Sequence, residues 1–158
     1  MIELMFLMSF TLHNIEEGIW LPKWSKHADK FHPTVENNEL HFGLLVVTVL
    51  GYLLTFIFLV FGHSYDIIKY LYLGFLLVMC FNAFFPHFLA TVIQKRYAPG
   101  TVTGLVLNLP IGLFIIFGKY RSELEISKLL IGFITIVIIG LVLIPLSFKV
   151  GKKIIDTY

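Results

Sequence analysis

The sequence predicts an all-α polytopic membrane protein, a bundle of about five transmembrane helices. Three observations predict it. Of 158 residues, 58% are hydrophobic and only 14% are charged, too few polar groups to cover a water-soluble domain of this size. The apolar residues fall in runs close to the ~20 residues that a helix needs to cross a bilayer. Proline, glycine and charged residues gather between those runs. The chain is therefore expected to be a single integral membrane domain over 1–158. The formal net charge of +2 is spread over short connections, and no basic block points to nucleic acid. The lone Cys80 can form no intramolecular disulfide and reads as a core thiol.

The first segment, about 2–20, is apolar except for Glu3, Ser9, Thr11 and the group His13, Glu16, Glu17. It lacks the basic start of a signal peptide and is read as a mature helix. Leu21-Pro22 is expected to end it, and Trp20 and Trp24 fit an interfacial aromatic belt. The second segment, about 40–62, begins beside His41 and is almost wholly apolar from 44 to 61. The third, about 67–93, carries Asn82, Pro86 and His87 in its second half. Pro86 removes an amide donor and predicts a kink near Asn82. The fourth, about 101–117, follows a Pro-Gly turn and contains Asn108 and Pro110. The fifth, about 128–148, is aliphatic and offers no chemistry, and a basic tail follows it.

Five crossings put the two termini on opposite sides. Three Lys or Arg in 21–40, two in 94–97 and three in 149–158 then share one side, against four on the other. The positive-inside rule predicts an outside N-terminus and a cytoplasmic C-terminus in a bacterial cytoplasmic membrane. This topology brings His13, His87 and Asn108 to similar depths, each roughly 10–12 Å from the cytoplasmic end of its helix at 1.5 Å per residue. Glu16 and Glu17 lie between His13 and that face, and His41, Tyr97 and Gly100 lie at its rim.

Residues of these types suit two kinds of chemistry. His13, Glu16 and His87 could ligate zinc or another divalent transition metal and leave a position open, with Glu17 as base. Without a metal, Glu16, Glu17 and His87 could perform acid–base chemistry on a lipid. Asn82, Asn108 and His41 would orient substrate or ligands, and the Tyr97 hydroxyl would meet a head group. A structural network of hydrogen bonds between helices, or passage of a hydrophobic ligand, stays open beside them. Membrane lipids and a lipid- or isoprenoid-like substrate are the partners this composition admits, and a homo-oligomer is compatible with it.

The chain resembles the HXXEE family of small bacterial membrane proteins of uncharacterised function. The resemblance rests on His13-Asn14-Ile15-Glu16-Glu17, on His87 as the further histidine, and on Tyr97-Ala98-Pro99-Gly100. It implies that these residues act together and supplies no substrate.

Overall fold

Lipid offers no hydrogen-bond partners, so an apolar run that enters it must close its own backbone bonds as helix. The computed structural model describes residues 1–28 and 34–155. Part of the polar link after the first segment, and the last three residues of the tail, lie outside the described residues. Five helical runs follow in order. They are α1 (Ile2–Ser25), α2 (Asn37–Phe61), α3 (Asp66–Gln94), α4 (Thr101–Lys119) and α5 (Ile126–Ile155). The last four are long and apolar enough to cross a membrane. The described residues contain no strand.

Two runs exceed their expected limits by five residues or more, for local reasons. α1 does not stop at Leu21-Pro22 but runs through Pro22 to Ser25. Pro22 has no N–H for the carbonyl of Gly18 four residues back. His41 Nε2, reaching across from α2, donates to that carbonyl at 2.9 Å. α5 absorbs most of the basic tail, because nothing before Ile155 breaks the helix beyond Pro145.

The kink expected at Pro86 is a wide break. Regular α-helix ends at Asn82, a π-type turn spans Ala83–Phe88, and α-helix resumes over Leu89–Gln94. Phe85 is extended, at φ −127 and ψ 121, the conformation forced on a residue that precedes proline. α4 widens in the same way over Gly104–Asn108, just before Pro110.

α3 lies at the centre and touches α2, α4 and α5, while α1 packs on α2 and α4. The α3–α5 approach is close enough to need glycine. A Cβ on Gly132 would fall 2.1 Å from the Tyr70 carbonyl oxygen, and one on Gly74 would fall 2.4 Å from the Gly132 carbonyl carbon. Without a hydrophobic drive between helices in lipid, such small-residue contacts supply the packing. Near the start of α1, Phe6 and Phe10 meet Phe75 edge-on at 5.9 and 5.1 Å, and Phe58 stacks on Tyr72 at 4.1 Å. At the other end, Leu21 and Trp24 pack with Leu40, Ala90 and Ala98. These two apolar layers leave His13, Glu16 and Glu17 of α1 between them.

Candidate functional site: a His/Glu cluster between three helices

Residues three and four apart on a helix share a face, so α1 aims His13, Glu16 and Glu17 toward its neighbours. The break in α3 brings His87 back beside Asn82. The turn between α3 and α4 closes over both. Its Gly100 has φ 89, and a Cβ there would fall 2.8 Å from the Cε1 atoms of both His13 and His87. Only glycine suits that backbone and that space. His13, Glu16 and His87 are all buried, at 1%, 5% and 5% exposure.

Glu16 is a structural acceptor. Its Oε1 receives the Tyr97 hydroxyl and the Gly100 N–H at 2.7 Å. Its Oε2 receives the Thr103 N–H at 3.2 Å and the Thr103 hydroxyl at 2.6 Å. Four donors from one short segment meet one carboxylate. Two of them are orphan amides at the start of α4, where negative charge is favoured. Desolvation, and then the hydrogen bond to Glu16, push the Tyr97 phenol up to about 12, so at neutral pH it keeps the proton it donates.

Thr103 carries the order onward. Its single hydroxyl proton goes to Glu16, so toward His13 Nδ1, 3.0 Å away, it accepts. His13 therefore holds its proton on Nδ1 and presents a lone pair at Nε2. The Asn82 amide nitrogen donates to that Nε2 at 3.1 Å and lies 3.0 Å from His87 Nε2. The two imidazoles stand edge-to-face, with centroids 5.1 Å apart.

Glu17 is the carboxylate that faces the histidines. Its Oε1 lies 3.0 Å from His87 Nε2 and 3.5 Å from His13 Nε2. One ligand atom from each of His13, Glu17 and His87 falls within 4.8 Å of the others. Ligands of a tetrahedral zinc stand about 3.3 Å apart at ordinary bond lengths. The set expected from sequence was His13, His87 and either Glu16 or Glu17, with Glu16 preferred as ligand and Glu17 as base. The geometry turns Glu17 rather than Glu16 to the histidines, because adjacent residues point about 100° apart around a helix and the start of α4 holds Glu16.

The residues expected to orient a substrate are divided. Asn82 is central to the cluster. Asn108 lies elsewhere, accepting from the Ser9 hydroxyl at 2.5 Å, one turn before His13 on α1. His41 serves the backbone gap left by Pro22 and faces the groove between α1 and α2. Tyr97 reaches the cluster through Glu16. Thr103 was not anticipated from the sequence. Its position three residues after Gly100, in the first turn of a helix, was the available clue.

A family profile described as "Protein of unknown function with HXXEE motif" matches residues 4–115, more than half of the chain. The chain is 49% identical over 150 residues to "Uncharacterized protein YrkK" of Bacillus subtilis (strain 168), and the match covers 94% of both chains. No solved structure matches it. The motif histidine and both motif glutamates are the α1 residues of the cluster described above, and the chain belongs to the HXXEE family.

Proposed function

We propose that His13, Glu17 and His87 bind a divalent transition metal, with zinc the first candidate. The bound ion would serve an enzyme acting on a lipid- or isoprenoid-like substrate. The observation that carries this reading is the space between His13 Nε2 and Glu17 Oε1. Thr103 and Asn82 together assign a lone pair to that nitrogen. An acceptor nitrogen and a carboxylate oxygen thus face each other at 3.5 Å, an arrangement that a cation satisfies. Two histidines and one glutamate are a known catalytic zinc set, with a fourth position for water or substrate. The metal would polarise a substrate oxygen or activate a water. Thr103 and Glu16 would orient His13 behind it. Asn82, which donates to His13 Nε2 in this structure, would turn from the rings to the substrate side of the site when the ion takes that lone pair.

In this reading the site lies toward the cytoplasmic leaflet of a bacterial cytoplasmic membrane, with the N-terminus outside and the C-terminus inside. The Lys/Arg asymmetry supports that orientation. α1 has 24 residues, roughly 36 Å at 1.5 Å per residue, and is long enough to cross.

A second reading rests on Asn82, whose amide reaches both imidazoles. It makes the cluster a metal-free hydrogen-bond network in a protein that binds or moves a hydrophobic ligand. Metal analysis of the full chain, purified in detergent without chelator, separates the two readings. The metal reading expects close to one zinc or other transition-metal ion per chain, lost in His87→Ala and in Glu17→Gln. A wild-type protein free of metal would overturn it in favour of the network.

A further inference from the structure

On the cytoplasmic side of the cluster, α1 and the turn after α3 enclose a groove of about 440 Å³, lined by Trp20, Lys23, Trp24, Arg96, Tyr97 and Pro99. Two features distinguish it. Lys23 and Arg96 are both exposed, and neither forms an ion pair among the described residues. Among the described residues, no carboxylate lines the groove. The nearest acid in the hydrogen-bond network is Glu16, beneath Tyr97, with its oxygens already filled by four donors. Two cations that line one groove and have no ion-pair partner among the described residues call for an anion, and the guanidinium of Arg96 suits a phosphate with two parallel bonds. The other walls are aromatic. Trp20 and Tyr97 are about half exposed, as amphipathic rings at a membrane–water boundary are.

We propose that this groove binds the phosphate head group of an anionic lipid, and that it anchors the substrate of the His/Glu site. The second clause rests on the function proposed above; the first does not. Charge complementarity selects a phosphate. The aromatic walls, and the position at the end of an apolar helix, select one carried on a lipid. Spacing along α1 then limits the substrate further. Lys23 lies six residues beyond Glu17, roughly 9 Å along the axis at 1.5 Å per residue. The phosphate is therefore a handle, and the reacting group lies several bonds inside it. This favours a phospholipid or polyprenyl phosphate altered away from its phosphate over one cleaved at it.

The chain's two tryptophans both line the groove, so their emission reports occupancy directly. Full-length protein in neutral detergent would be titrated with dioctanoyl phosphatidic acid, dioctanoylglycerol and inorganic phosphate. Phosphatidic acid should give a saturable emission change, with at least tenfold weaker binding of dioctanoylglycerol and no competition from inorganic phosphate. Lys23→Gln with Arg96→Gln should weaken binding at least tenfold, while Lys23→Arg with Arg96→Lys should retain it. Undiminished binding by the Gln variant would overturn the site. Competition by inorganic phosphate at matching concentration would overturn the lipid as occupant. Metal content, measured on the same samples, should not change in the Gln variant. His87→Ala should keep the lipid response, so the head-group site and the metal reading can fail separately.

Discussion

Glu16 and Glu17 are adjacent, chemically identical and given opposite tasks. Glu16 gathers four donors and ties the α3–α4 turn to α1, while Glu17 stands between two histidines. Substitution should separate them. Glu16→Gln turns a carboxylate acceptor into an amide that repels part of its donor set, and hydrogen bonds to charged groups contribute about 1.5–3 kcal/mol each. The expected loss is about 2–3 kcal/mol, read as a lower unfolding midpoint in detergent. Measured on metal-free protein, Glu17→Gln should leave that midpoint nearly unchanged, and it should abolish metal retention. If the two variants behave alike, the division of roles is wrong. Thr103 acts one step back from the cluster. Thr103→Val keeps the shape but removes the hydroxyl that fixes His13, and it should weaken metal binding by roughly ten- to a hundredfold. Competition with a metallochromic chelator measures this, and an unchanged affinity would mean that His13 is oriented by something else.

Pro22 and Pro86 act on their helices in different ways. Pro22 leaves the Gly18 carbonyl without its helical donor, and His41 of α2 replaces it. His41→Ala alone should cost about 1 kcal/mol, the net value of an ordinary hydrogen bond. Pro22→Ala restores a backbone N–H to the same carbonyl. The double variant should therefore recover most of that loss, a departure from additivity that a double-mutant cycle detects. If the two effects simply add, His41 has another task. The break before Pro86 is used differently. The extended Phe85 turns the chain so that His87 and Asn82, five residues apart, meet at 3.0 Å. In an unbroken helix, residues five apart lie about 140° apart around the axis, and the two side chains would diverge.

Among the described residues, the two most buried carboxylates sit at two levels of a largely apolar bundle. Near the start of α1, buried Glu3 accepts from Lys119 and Tyr120. Thirteen residues further along, roughly 20 Å at 1.5 Å per residue, Glu16 meets the α3–α4 turn. A buried charge in a bilayer needs a partner, and each level draws its partners from α4 or from the residues that flank it. The proposed orientation follows from five crossings. A cysteine introduced at Ser122 should react with an impermeant maleimide on intact cells, and one at Lys26 should react only after lysis. The native Cys80 is buried and should stay silent. The reverse pattern would invert the topology, and labelling of both sites from outside would show that they share a side.

The helical class, the approximate place of each apolar run and the residue types at the polar cluster were legible in the sequence. These features are local: hydrophobic length, proline, glycine and the spacing of ionisable groups act on the chain within a few turns. Which glutamate faces the histidines, that His41 caps a proline gap, and that Asn108 turns to Ser9 were decided only by the tertiary structure. Neighbouring positions on a helix differ by a rotation that no local preference resolves. The donors at the start of α4 take one carboxylate, and the break in α3 leaves the other to the imidazoles.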